Sequence, residues 1–307
     1  MDLIPKYLNS LNTDGLKPST IKHARITLNK FNNCIDGRSL LEIDRDDIDT
    51  FIIALYETCN QKTTKGHVDR LNLFYEYLEE ELEIIDRNPV KRKAKTMSKG
   101  NNHTDRPKRT FEEVNKFVHG ITNLKDQAMT VLLLKTLIRN SEFRALALND
   151  FDPDRGYLNV DKHMDKVTGE VLPGRKNGNV TTIPLDNETV RILKRYLRTR
   201  PNVNSDVLFV SNLNKHMSEH LPLRTIVGWA KKLNFDSGEG KYSKIITPHW
   251  MRAFGTMEME KRNMNHSVVQ YIRGDVPAST MDGYSRSVLH PDYIKKDYEE
   301  HIFKFDL

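Results

Sequence analysis

The sequence has few cysteines and no long apolar run. Only two cysteines, Cys34 and Cys59, occur in 307 residues. That is too few for a disulfide framework and indicates a reducing compartment. No apolar stretch approaches the roughly 18 residues of a membrane span, and the N-terminus lacks the basic stretch and apolar core of a signal peptide. The sequence therefore predicts a soluble protein of the cell interior.

Positive charge is in slight excess and is unevenly distributed. Lysine and arginine number 48 against 42 aspartates and glutamates, a net charge of +6. Residues 86–110 hold nine basic and two acidic side chains, so much of the excess lies in one segment. Such a segment is either a solvated interdomain linker or a linker that clasps DNA phosphates. In the second case the expected DNA contacts are Lys91, Arg92, Lys93, Lys95, Lys108 and Arg109.

Residues 1–95 have the pattern of a helical unit. Apolar residues recur at helical spacing after Ser19, after Asp44 and after Thr63. Asn88-Pro89 is typical of a helix stop and ends the unit. The start of the third helix is basic, which indicates either a face that enters a DNA groove or the polar exterior of an ordinary bundle. The candidate DNA contacts there are Lys62, Lys65 and Arg70.

A segment at 96–109 is predicted to link this unit to a second domain at 110–284. Thr110 and Glu113 have the spacing of a capping box, which starts a helix. The period then changes, because residues 157–160 and 180–185 read as strands. Further helices are predicted at 125–137, 187–199, 222–233, 249–262 and 266–273. The expected fold class is mainly α, with a small antiparallel β-sheet in a mostly helical second domain.

Four kinds of side chain near the C-terminus suggest chemistry on a phosphodiester. His249-Trp250-Met251-Arg252 precedes Asp275 by 275 − 252 = 23 residues, and Tyr284 follows nine residues later. Arg139 stands far upstream, after a strongly apolar helix. Arginine forks can neutralise the two non-bridging oxygens of a phosphate, and a tyrosine hydroxyl can attack phosphorus as a covalent nucleophile.

These motifs together resemble those of the tyrosine recombinases of the phage integrase family, with an archaeal or mobile-element integrase as the expected kind of member. The resemblance spans nearly the whole chain. It implies that Arg139 and Arg252 clamp the scissile phosphate and that His249 binds it and shuttles a proton. Lys176, eight residues before Pro184, would be the general acid. The implied catalytic set is Arg139, Lys176, His249, Arg252, Asp275 and Tyr284.

Two positions depart from the family pattern. Leu137 stands where the family has a glycine, two residues before the first arginine. Asp275 stands where the family favours histidine or tryptophan, which donate a hydrogen bond to the phosphate. An ionised aspartate cannot donate and would repel the phosphate. Three alternatives are open: Asp275 is protonated, it is turned away to hold an arginine, or the activity of the protein is reduced. As a contact to the phosphate, Asp275 is expected to be weak.

The resemblance implies a site-specific DNA recombinase that cuts and rejoins DNA through a 3′-phosphotyrosyl intermediate, without metal or cofactor. Residues 1–95 would bind core DNA and the tail at 285–307 would contact a neighbouring subunit. Two proteins are expected on each double-stranded attachment site and four in the synapse, associated with the nucleoid. A type IB topoisomerase and a DNA-binding regulatory or architectural protein that has lost cleavage are the alternatives.

Overall fold

The computed structural model describes residues 2–98, 100, 108–211, 221–235, 246–276 and 289–307. The chain divides into two compact units, Met1–Thr104 and Asp105–Leu307, and each is described by itself. The boundary falls within the segment at 96–109 that was expected to link two domains. Among the described residues, no helix is long and apolar enough to cross a membrane.

The first unit is a helical bundle around one apolar core. Asp44 caps the helix α3 (Arg45–Thr58) through a capping box with Asp47, and Asn60 caps α4 (Gln61–Glu76) by accepting from the amide of Thr63. Phe31, which is fully buried, packs edge-on against Phe51 at 5.1 Å between ring centres. The helices are α1 (Leu3–Thr13), α2 (Pro18–Cys34), α3 (Arg45–Thr58), α4 (Gln61–Glu76) and α5 (Lys91–Thr96), with a π-helical turn at Tyr77–Glu81 after α4.

The end of this unit is more ordered than its composition suggests. Asn88 is buried and donates to the side chain and carbonyl of Asn72 on α4. Its own side-chain oxygen accepts from the amides of Val90 and Lys91. Asn88 therefore fixes the turn that precedes α5, a short helix that lies in the basic segment at 86–110.

The second unit is mostly helical. Thr110 and Glu113 form the expected capping box at the start of its first helix. The five further helices predicted for this domain all have counterparts, with boundaries that differ by no more than one residue. The helices are α6 (Phe111–Gly120), α7 (Leu124–Thr136), α8 (Asn140–Ala145), α9 (Asn187–Thr199), α10 (Leu221–Lys232), α11 (Pro248–Lys261), α12 (His266–Arg273) and α13 (Pro291–His301).

In the described part of the unit, two small antiparallel sheets interrupt these helices, and the predicted mainly α fold class is confirmed. The first sheet has the order β1 (Phe151–Asp152), β2 (Tyr157–Val160) and β5 (Thr181–Pro184), with Leu158 opposite Ile183. The second is a hairpin of β3 (Lys162–Met164) and β4 (Val171–Pro173). Strands β2 and β5 correspond to the two that were predicted. The short strands β1, β3 and β4 were not predicted, because two or three residues carry no readable alternation.

Leu137 adopts a left-handed backbone conformation, with φ of 54° and ψ of 19°, where α7 ends. This region favours glycine, the residue that the family has at this position, so leucine adopts it at a cost in backbone strain. The Leu137 side chain is fully buried beside Gly255 of α11, where an added Cβ would lie 2.7 Å from Leu137 Cδ2. The close approach of α7 and α11 brings the segment that carries Arg139 next to the helix that carries Arg252.

The described part of the C-terminal tail, residues 289–307, packs on its own unit. Ile294, Ile302 and Phe303 belong to the buried core of the second unit, whereas Tyr293 is 45% exposed. The three buried side chains are therefore occupied within the chain itself. A contact of the tail with a neighbouring subunit stays a prediction.

Candidate active site

A cleft of about 370 Å³ in the second unit brings together five of the six residues expected to be catalytic. They come from four places in the chain: the start of α8, the loop after β4, the first turns of α11 and the end of α12. The sixth, Tyr284, lies outside the described residues. The five are Arg139, Lys176, His249, Arg252 and Asp275.

Arg139 is held at the start of α8 by Glu142. One carboxylate oxygen of Glu142 accepts from the Arg139 amide at 2.8 Å, and the other pairs with Nη1 of the guanidinium at 3.0 Å. Burial opposes ionisation of Glu142, but Arg175 and Arg139 outweigh it and hold the pKa of this carboxyl below its ordinary value. Glu142 is therefore an anionic anchor for Arg139.

Arg252 lies one helical turn from the start of α11. Thr247 caps the helix by accepting from the Trp250 amide, and Pro248 occupies the first turn. The three-residue spacing puts His249 and Arg252 on the same face, and both line the cleft. Arg252 is 4% exposed and donates to the carbonyl oxygen of Leu137. Burial, together with the nearby Arg139, lowers the pKa of Arg252 to about 10, so it remains protonated at pH 7.

Asp275 is surrounded by arginines. Its Oδ1 lies 2.8 Å from Arg252 Nη2 and 3.5 Å from Arg139 Nη2, and its Oδ2 lies 2.7 Å from Arg273 Nε. A carboxylate in this position is neutralised by its neighbours. Of the alternatives for this residue, the geometry favours the one in which Asp275 holds arginines. This corrects the view of Asp275 as a weakened phosphate contact.

Arg175 is a supporting residue that the sequence did not identify. Its side chain is completely buried, and it donates to Glu142 at 2.9 Å and to the carbonyls of Ile272 and Arg273 at 2.9 and 2.7 Å. It thus ties α8 to the end of α12, although Arg175 itself lies 97 and 98 residues before the two carbonyl groups that it binds. Its position beside Lys176 was visible in the sequence, but spacing alone could not indicate that Arg175 points inward.

Three further cations line the cleft and were not predicted as site residues: Arg144, Lys166 and Arg273. Arg144 is buried, and its Nη2 contacts the sulfur of Met164 at 2.6 Å. Lys166 lies in the turn between β3 and β4. The position of Arg273, two residues before Asp275, was the one available signal for it.

The predicted DNA contacts at the start of α4 differ in how far their side chains are exposed and in whether they are paired. Lys62 is exposed and Arg70 is partly buried. Lys65 is 8% exposed and pairs with Asp69, so it would have to leave this partner to reach a phosphate. The structure therefore corrects the assignment of Lys65, which had been based on its place near the helix start.

The basic segment is also partly paired. Lys91 lies 3.5 Å from Glu79, and Lys93 lies 2.5 Å from Asp49. Arg92 and Lys95 are exposed, as is Lys108 in the second unit. Arg109 donates to the carbonyl of Phe235 at 3.1 Å and lies over its ring, so it has a structural role besides any contact with DNA.

A cleft that gathers arginine, lysine and histidine around one carboxylate, in a mostly helical unit, defines an anion-binding site of the kind expected for phosphate. A model of the phage integrase family matches residues 108–288. The chain belongs to the phage integrase family.

Individual relatives agree with this assignment. The chain is 29% identical over 179 residues to the tyrosine recombinase XerA of Pyrococcus furiosus, a match that covers 58% of this chain and 56% of XerA. The match thus spans about half the length of that relative. The Tn1549 transposon integrase in complex with transposon right-end DNA has a TM-score of 0.73 and 19% identity, covering 97% of this chain and 99% of that one. A lambda integrase tetramer bound to a Holliday junction has a TM-score of 0.67 and 16% identity, covering 89% and 76%.

Proposed function

We propose that this protein is a site-specific DNA recombinase that cuts and rejoins DNA through a 3′-phosphotyrosyl intermediate. The observation that carries the proposal is the convergence of Arg139, Lys176, His249 and Arg252 on one cleft in a member of the phage integrase family. Preorganised cations in such a cleft stabilise the charge that develops on phosphorus-bound oxygens in the transition state.

The proposed reaction has one in-line displacement. The hydroxyl oxygen of Tyr284 forms a bond to phosphorus, and the bond from phosphorus to the 5′ oxygen breaks. Lys176 gives a proton to the departing 5′ oxygen, while His249 binds the phosphate and takes up the proton that the Tyr284 hydroxyl loses. The energy of the broken phosphodiester is kept in the phosphotyrosyl bond, so that the reverse attack by a 5′ hydroxyl rejoins the strand without cofactor or metal.

The partners are proposed on the same basis. Residues 1–95 are proposed to bind core DNA, and exposed cations of the basic segment to contact phosphates. The similarity to a lambda integrase tetramer on a Holliday junction supports, as a proposal for this chain, two proteins on each site and four in a synapse. The tail at 285–307 is proposed to contribute to subunit contacts, and the protein to act at the nucleoid in the cytoplasm.

A two-site plasmid assay tests the proposal. The DNA site is first selected by the wild-type protein from random-sequence duplexes, and two copies are then placed in direct repeat on a supercoiled plasmid. A recombinase is expected to yield two circles, each with one site. Relaxation of a plasmid that carries no site, without exchange, would instead identify a topoisomerase. Binding with neither strand exchange nor covalent attachment would identify a regulatory or architectural protein.

A further inference from the structure

Arg273 is a third guanidinium of the active-site cleft, besides the two that the motifs identify. It is the last residue of α12, and its side chain lines the same cleft as Arg139 and Arg252. We propose that Arg273 is a catalytic residue that donates to the scissile phosphate, an assignment that rests on the proposed recombinase function. Asp275 then acts as a positioning residue, because it holds Arg273 but cannot itself donate.

The anchoring of Arg273 leaves one edge of its guanidinium for a ligand. Nε lies 2.7 Å from Oδ2 of Asp275, and Nη1 lies 3.3 Å from the hydroxyl of Thr256. Among the residues that the structure describes, Nη2 has no such contact. Arg139 and Arg252 both use the other oxygen of Asp275, so Arg273 approaches the carboxylate from a separate direction.

The exposure of the arginines separates structural from phosphate-binding roles. The Arg175 side chain is 0% exposed and its contacts are all internal. Arg139 and Arg273, by contrast, have side chains that are 28% and 32% exposed. If Arg273 served only to neutralise Asp275, it would contribute little, because Arg252 already neutralises this carboxylate at a distance of 2.8 Å.

The charge of the network also exceeds what internal pairing requires. Four arginines form ion pairs with two carboxylates, so the network carries 4 − 2 = 2 surplus positive charges before any lysine is counted. A phosphodiester carries one negative charge and approaches two as the nucleophile adds. A surplus of this size suits the transition state better than the ground state, which is the condition for catalysis. The members are Arg139, Arg175, Arg252, Arg273, Glu142 and Asp275.

The test compares Arg273→Ala, Arg273→Lys and Arg273→Gln with wild type in single-turnover cleavage. The substrate is a duplex with the selected site and a nick close to the mapped scissile phosphate, so that the short released strand diffuses away and the covalent adduct accumulates. A second substrate carries a methylphosphonate at that phosphate, in which a methyl group replaces one non-bridging oxygen and removes the negative charge.

We expect Arg273→Ala to slow adduct formation about 10²-fold on the phosphate substrate, as for loss of one transition-state donor. The effect should shrink to a few-fold on the methylphosphonate, because less charge has to be neutralised. Arg273→Lys should lie between, since it keeps the charge but not the fork. Arg273→Gln keeps a polar stem of similar length, and provides the comparison should the alanine variant unfold.

The control is Arg155→Ala, at a side chain that is 83% exposed outside the cleft; it should cleave both substrates like wild type. Wild-type rates for the Arg273 variants would overturn the assignment. Equal rate reductions on the two substrates would also overturn it, and would make Arg273 a positioning residue. If wild type itself forms no adduct on the phosphate substrate, the proposed function fails first, and this is seen before any variant is compared.

Discussion

Arg175 lies directly against the α-carbon of Gly274: an added Cβ there would be 2.5 Å from Nη1 of this buried guanidinium. Gly274 ends α12 with φ of 61°, a backbone conformation that favours glycine. The glycine therefore allows one arginine to bind the carbonyls of Ile272 and Arg273 and the carboxylate of Glu142 together. Arg139, which Glu142 holds, and Arg273 and Asp275, which flank Gly274, depend on this arrangement for their positions.

The first prediction is that Gly274→Ala destabilises the second unit and slows cleavage. The methyl group displaces Arg175 and the left-handed backbone adds strain, so the destabilisation should exceed about 1 kcal/mol of unfolding free energy. Urea unfolding and single-turnover cleavage measure the two effects. Gly228→Ala is the matched control, because its Cβ would meet nothing within 4 Å inside α10. It should be neutral or slightly stabilising. Equal stabilities of the two variants would contradict the prediction.

The second prediction assigns the general acid. Lys176→Ala should slow cleavage by about 10² to 10⁴-fold, the usual contribution of a positioned proton donor. A substrate with sulfur in place of the bridging 5′ oxygen should restore the rate, since a thiolate leaves without a proton. Lys166→Ala is the comparison, as this lysine lines the same cleft. Rescue of the Lys166 variant instead would transfer the role to that residue.

A third prediction concerns Asp275. Residue type alone predicts that Asp275→His or Asp275→Asn keeps or raises cleavage above pH 7, by restoring a donor. The pairing with three arginines reverses this expectation. Both variants should cleave about 10-fold to 10²-fold more slowly than wild type in single turnover, because Asp275 fixes several donors at once. DNA binding should be retained. A rate at or above wild type would show that the carboxylate is not needed to position the arginines.

The fourth prediction separates paired from unpaired cations in the basic segment. Arg92→Ala with Lys95→Ala should weaken DNA binding for all sequences. The slope of log K against log salt should fall by roughly 2, at about 0.9 for each phosphate that is no longer neutralised. Lys91→Ala with Lys93→Ala should change the slope less, because Glu79 and Asp49 already pair with these lysines. Equal slope changes for the two pairs would contradict this distinction, and no change for either would indicate a solvated linker.

The sequence predicted the fold where local signals are strong. The capping box of Thr110 and Glu113 and the helix that carries His249 and Arg252 were readable because caps and helical periods act over a few residues. The spacing of the motifs likewise predicted five residues that line the cleft. Burial was not readable: Arg175 is bound to a carbonyl 97 residues away, and no local pattern encodes such a contact.

The same limit explains the other differences. Lys65 and Lys62 are the same residue type, and only the packed helix reveals that Lys65 is buried and paired with Asp69. The residue type of Asp275 predicts a weak contact with the scissile phosphate, whereas its role depends on three arginines that are close only after folding. Charge and residue type are properties of the sequence; pairing is a property of the fold.

The proposed function requires that this chain cleave DNA by covalent attachment through Tyr284. The most direct measurement is the covalent protein–DNA adduct formed on the nicked duplex, resolved under denaturing conditions, for wild type and Tyr284→Phe. We expect a stable adduct for wild type and none for the phenylalanine variant, with DNA affinity nearly unchanged, since only the nucleophilic oxygen is removed. An adduct at wild-type level in Tyr284→Phe would contradict the assignment of the nucleophile, and absence of an adduct in both proteins would contradict the recombinase itself.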